Sequence, residues 1–278
     1  MSERLEVRKT YKLYVGGAFP RSESGRSYEV ADARGSFLAN AVRASRKDVR
    51  DAVVAARKAS GGWAGATAYN RGQILYRIAE MMETRRTDLQ REVDVAEGER
   101  ARAQVDEAID TFVYYAGWTD KIAQVAGNLN PVAGPYFNIS APEPTGVVAI
   151  VAPEAPSLAG LAGRLAPVMC GGNTSVVLAS EKHPLPGVAF AECLATADVP
   201  AGVVNILTGA KRELVPVLAG HLDVDALDVT GIPDELREDA ERTAAENVKR
   251  LVASKGPPSP YEVTGFMETK TVWHPKGA

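Results

Sequence analysis

The chain has 278 residues, 45% of them hydrophobic, and carries a net charge of −3 with a pI near 5.8. This composition supports a packed core and excludes a strong basic field for nucleic acid or anionic lipid. The longest apolar runs, such as "VVAIVA", are too short to cross a bilayer, and "MSERLEVRKTYKLYVGG" has no signal-like apolar stretch.

In chain order, "YKLYVGGAF" and "GRSYEVADARG" read as short strands joined by glycine turns. A helical part follows over 46–126. Ser45 with Asp48 makes a capping-box start, and Val49, Ala52, Val53 and Ala56 follow at helical spacing. Ile74, Leu75, Ile78, Met81 and Met82 form a second apolar stripe. Val105, Ile109, Phe112, Val113 and Ala116 form a third. Such stripes are core contacts rather than cofactor contacts.

From residue 145 to 254 strands and helices alternate. "GVVAIVAP", "NTSVVLAS", "GVVNILTG" and "VDALDVTG" are strands, each followed by a helical pattern, the last being "PDELREDAERTAAENVKRLVASK". The fold class is therefore α/β, a doubly wound parallel sheet buried on both faces. Ligands of such sheets bind beyond the carboxyl ends of the strands. Here that edge holds "PEAPS", "ASEKHP", "TGAKRE" and "TGIPDE". There is no G-x-G-x-x-G, so no phosphate loop of that type is expected. A Lys-Gly-Pro-Pro-Ser-Pro linker then leads to "YEVTGFMETKTVW", which reads as an edge strand with no sheet of its own.

Cys170 and Cys193 make no disulfide framework, and a cytoplasmic, reduced protein is expected. Each lies in an apolar helical pattern and is expected to be a buried, inert thiol. His183, His221 and His274 are too scattered for a metal site. The row Glu238, Asp239, Glu241 and Arg242 reads as a solvated helix face.

The segments "FVYYAGWTDK", "NISAPEPTGVVAIVAP", "LAPVMCGGNTSVVLASEKHPL", "GVVNILTG" and "VDALDVTG" resemble, in order and spacing, the cofactor domain of the aldehyde dehydrogenase superfamily. The resemblance runs from about residue 10 to about residue 250. It implies a cofactor-binding domain over 1–254, with an oligomerisation hairpin near 128–145. Residues 255–278 are then a linker and a strand similar to the family's C-terminal oligomerisation strand. The stretch between these regions that holds the family's catalytic domain has no counterpart here.

Family chemistry uses a cysteine thiolate, a glutamate base, an oxyanion asparagine and a nicotinamide hydride acceptor. Neither "VMCGG" nor "AECLA" resembles the surroundings of the nucleophile, so no catalytic residue is expected. The family's Pro-Trp-Asn-Phe-Pro becomes Pro153-Glu154-Ala155-Pro156-Ser157, which puts Ala155 at the oxyanion position. The ribose-contacting lysine maps onto Leu178 and its glutamate onto Glu181. The glycine-rich turn becomes Gly209, Ala210, Lys211, Arg212 and Glu213. Thr230 and Gly231 keep the family pattern, but Ile232 and Leu236 replace the small residues that follow. Pro233 reads as a helix-start proline. The resemblance thus implies a vestigial cofactor site at Pro153, Glu181, Gly209, Thr230 and Gly231, with NAD binding weakened.

The expected function is that of a non-catalytic subunit associating with a full-length aldehyde dehydrogenase through Glu262–Trp273 in a hetero-oligomer. A second reading is an NAD-binding subunit that contributes to a composite site. A third is a free-standing nucleotide or metabolite binding module.

Overall fold

The computed structural model describes residues 9–98, 100–254 and 256–277. The N-terminal elements are β1 (Ser27–Ala31) and β2 (Phe37–Val42), paired antiparallel. Helices α1 (Arg46–Ala64), α2 (Ala68–Thr84), α3 (Arg86–Glu97), α4 (Ala101–Ala116) and α5 (Ile122–Ala126) follow. Ser45 caps α1 through the expected reciprocal bonds with Asp48. The α2 and α4 stripes supply core residues including Leu75, Ile78, Met82, Val105 and Phe112, whereas Val113 is 41% exposed. The segment "YKLYVGGAF" makes only isolated bridges, Tyr14 to Ile206 and Val15 to Ala18.

Next come β3 (Asn128–Asn130) and β4 (Tyr136–Pro144), a hairpin. Then β5 (Val147–Val151), α6 (Ser157–Cys170), β6 (Thr174–Leu178), α7 (Leu185–Leu194), β7 (Val204–Leu207), α8 (Lys211–Gly220), β8 (Ala226–Asp228), α9 (Asp234–Ala245) and β9 (Arg250–Val252) alternate. The sheet is parallel throughout, in the order β7-β6-β5-β8-β9. Strands β5 and β6 are buried at every residue, as apolar runs covered on both faces must be. Strand order reverses between β5 and β8, which opens a crevice at the carboxyl edge. The chain ends with α10 (Pro260–Thr264) and β10 (Met267–Pro275).

Three expectations are corrected. The helix expected over "PDELREDAERTAAENVKRLVASK" stops at Ala245. Lys249 N–H donates to the Ala244 carbonyl, and Val248 N–H donates to the Ala245 carbonyl. With Val248 at φ 59° this is a Schellman closure, and it releases 250–252 to pair with β8 as a fifth strand.

The strand expected over "EVTGFMETKTVW" is divided. Glu262 sits in α10, started by Ser259 and Pro260, and only Met267 onward is strand. Nor does β10 lack a sheet of its own. It pairs antiparallel with β4 over nine residues, Met267 opposite Pro144 through Pro275 opposite Tyr136. Sequence separation hid this pairing. The two strands lie more than a hundred residues apart, and α10 is the short connector that returns the chain.

In the resulting sheet, ordered β10-β4-β3, side chains alternate between faces. One face carries a hydroxyl–amide ladder in which Asn130 donates to Asn138 (2.6 Å) and Ser140 (2.8 Å), and Ser140 meets Thr271 (2.8 Å). The other carries a cross-strand row, Leu129, Ile139 and Val272, exposed by 68%, 48% and 50%.

Candidate functional site

The crevice between β5 and β8 opens into a cavity of about 820 Å³ whose lining includes Pro153, Glu154, Glu181, Lys211, Thr230 and Gly231. Four of the five site residues expected from sequence therefore meet there: Pro153, Glu181, Thr230 and Gly231. Gly209 is not on the lining. Its φ is +148°, and a Cβ there would meet Leu214 at 3.0 Å and the Ala44 nitrogen at 3.2 Å, so it serves a tight packed turn. Gly231 is required by close approach, since a Cβ would fall 2.3 Å from the Val151 carbonyl oxygen. Leu178 is fully buried in the sheet core, and Ala155 is exposed.

Lys211, noted in the sequence only for its bulk, occupies the centre of the crevice. It is 1% exposed. Its ammonium donates to the Ala152 carbonyl at the end of β5 (2.7 Å) and to the Gly231 carbonyl beyond β8 (2.9 Å). It also pairs with Glu154 at 2.5 Å. All three N–H donors are thereby used. Glu154 in turn accepts from the Ser180 hydroxyl (2.8 Å) and Lys182 N–H (2.9 Å). The signal for this arrangement was present in the sequence as a lysine where the resembled turn has glycine. Its target was not, because the carbonyls it meets lie 59 and 20 residues away.

Carboxylates of the chain itself already serve two of the helix N-termini that open at this edge. Glu97 accepts from Ser157 N–H at the start of α6 (3.0 Å). Glu181 accepts from Lys211 N–H at the start of α8 (2.7 Å). Helix α9 begins with Asp234 and Glu235, after Pro233 at its N-cap. Around the cavity Glu29, Asp32, Glu154, Glu181 and Glu235 face two lysines, Lys182 and Lys211. A dinucleotide brings a pyrophosphate that such helix ends would otherwise receive. The residues present do not fit it.

Burial alone would raise the Glu154 carboxyl, but the Lys182 N–H, the Lys211 ammonium and the Ser180 hydroxyl outweigh burial and lower it below 4.5, its ordinary value. A carboxylate depressed in the folded state adds stability above its unfolded pKa and loses it as pH falls through the folded one. Acidification below about pH 4.5 is therefore expected to loosen the clasp around Lys211. Thermal melts across an acid pH series, wild type against Glu154→Gln, report this. The wild-type curve should fall more steeply on acidification, and parallel curves would contradict the assignment.

Cys170 and Cys193 are both buried, and desolvation pushes each thiol up to about 12. A second charged cluster lies within the core. Arg164 of α6 donates to Asp228 of β8 (2.6 Å) and to Glu262 of α10 (2.5 Å). All three are buried, Asp228 completely. Among the described residues no group of three or more His, Cys, Asp and Glu side chains could hold a metal ion. No helix among them is long and apolar enough to cross a membrane.

A parallel sheet in this order, with its crevice at the reversal point, defines a domain of the doubly wound dinucleotide-binding class. The chain belongs to the aldehyde dehydrogenase family, whose family profile matches residues 19–272. It is 34% identical to the Bacillus subtilis aldehyde dehydrogenase homologue DhaS, over 94% of this chain and 54% of that protein. It is 32% identical to human retinal dehydrogenase 2, over 92% of this chain and 50% of that protein. The NAD+ complex of an aldehyde dehydrogenase from Bacillus cereus superposes with a TM-score of 0.83 at 28% identity, covering 88% of this chain and 50% of that one. The chain thus spans about half the length of these relatives.

Proposed function

We propose that this chain is a non-catalytic aldehyde dehydrogenase homologue that docks, as a structural subunit, on a full-length member of the family. The observation that carries the reading is the state of the two sulfurs. Family chemistry needs a thiolate at a substrate, and both thiols here are desolvated in the core. Ala155, at the expected oxyanion position, has no donor side chain.

The docking element of this reading is a face rather than a free strand. Because β10 already pairs with β4, the surface on offer is the row Leu129, Ile139 and Val272, with the Lys270–Glu143 pair at one end. An exposed cross-strand apolar row on a three-stranded sheet suits burial against another subunit. The occupant we infer is a relative about twice as long as this chain, which would supply the nucleophile. Glu262 plays no part in that contact, since its carboxylate is committed to Arg164 inside the core.

Ile139→Asp and Val272→Asp together are expected to abolish copurification with the full-length homologue from the native host, while the melting temperature changes by less than a few degrees. Undiminished copurification of the folded double variant would refute docking through this face. Deletion of residues 261–278 is a poorer test, because it also removes Val263 and Phe266, both fully buried.

A further inference from the structure

We infer that the cofactor crevice of this chain is filled by its own Lys211, and that the chain does not bind a nicotinamide dinucleotide. The position is decisive. Nζ bridges the carbonyls that end β5 and follow β8, the two strands between which the order of the sheet reverses. That is where a doubly wound sheet receives its ligand. Here the two strand ends are held together by a cation that belongs to the protein.

A lysine in such a place could in principle attract phosphate. This one is spent, because each of its three donors has a partner and one partner is the Glu154 carboxylate. A pyrophosphate entering the crevice would meet the Glu154 and Glu181 carboxylates there, with Lys182 as the other lysine of the lining. Displacing Lys211 would leave Glu154 half-buried and without its cation, held by the Ser180 hydroxyl and the Lys182 N–H. The chain also supplies the carboxylates that cap α6 and α8. The Lys211 ammonium and the N-termini of α6 and α8 are thus satisfied internally, and the arrangement is an alternative to cofactor binding rather than an empty form of it.

The proposal deepens the non-catalytic reading at the same crevice, and the two fail separately. Undiminished copurification of the Ile139→Asp, Val272→Asp variant would say nothing about Lys211, and NAD binding would leave docking through the β10-β4-β3 sheet untouched.

Two measurements on the full chain test it, with NAD as the probe. In amine acylation followed by mass spectrometry, Lys211 should react far more slowly than the exposed Lys182, and NAD should not change its rate. In calorimetry, NAD should give no saturable heat with wild type at millimolar concentration. Lys211→Gly opens the crevice and removes the cation, and an affinity gain of about tenfold or more is expected, the worth of one charge-assisted contact. Lys211→Ala stands in if the glycine variant does not fold. Micromolar NAD binding by wild type overturns the proposal, whatever the reactivity of Lys211. So does a Lys211 that acylates as fast as Lys182, or a folded variant with no gain in NAD affinity.

Discussion

Purified chain supplied with NAD and a panel of aldehydes is expected to produce no NADH above the uncatalysed background. A thiol pushed up to about 12 is thiolate in only about one molecule in 10⁵ at neutral pH. Both sulfurs are also shut off from any substrate by the core around them. Removing the nucleophile from an enzyme of covalent mechanism costs on the order of 10⁶-fold in rate. Cys170→Ser and Cys193→Ser should each leave the background unchanged. Turnover that either substitution abolishes would overturn the non-catalytic reading, and would require a sulfur now in the core to reach solvent.

The second large effect is on stability. Arg164→Met is expected to destabilise the fold by about 3–5 kcal/mol, the usual cost of stripping one partner from a buried ion set. Asp228, fully buried in the central sheet, would then be left with the Thr230 N–H and hydroxyl as its charge-stabilising donors. A loss of that size lowers the melting temperature by on the order of 10 °C. Its pH dependence has a definite sign. Burial raises the Asp228 carboxyl above its ordinary 3.8, and Arg164 works against that rise. A carboxyl raised in the folded state gives stability at low pH that is lost as pH rises through the folded pKa. The deficit of Arg164→Met should therefore be largest near neutrality and shrink on acidification, as Asp228 becomes the neutral acid. Arg164→Met combined with Asp228→Asn and Glu262→Gln should recover much of the loss, because no uncompensated buried charge remains. Equal melting of wild type and Arg164→Met would show that the triad adds nothing to the fold.

The triad also bears on the C-terminal segment. It joins α6, β8 and α10, three elements spread over the last 120 or so residues of the chain. By seating α10 it sets the start of β10 opposite the end of β4. The expectation of a strand left without a sheet failed at this point. β-propensity in "METKTVW" is a local property and was legible, but its partner β4 lies more than a hundred residues back, and the Arg164–Glu262 pair beside α10 joins residues 98 apart.

What the sequence by itself determined is what short-range pattern carries. Apolar β-branched runs alternating with helical stripes defined a parallel doubly wound sheet, and five ordered segments pointed to the family. The capping box at Ser45 was equally local, since caps are settled within a few residues. Tertiary structure alone decided the rest. The fifth strand β9 appears because a Schellman turn ends α9 beside an unpaired edge of β8. Gly209 leaves the cavity because its turn faces Ala44 and Leu214 instead. Lys211 becomes the occupant of the crevice because two strand ends, distant in sequence, present carbonyl oxygens at the reach of one ammonium. A side chain's identity is written in the sequence, but its partners are fixed only when the fold brings separate segments within hydrogen-bond distance, where burial makes each unmet charge costly.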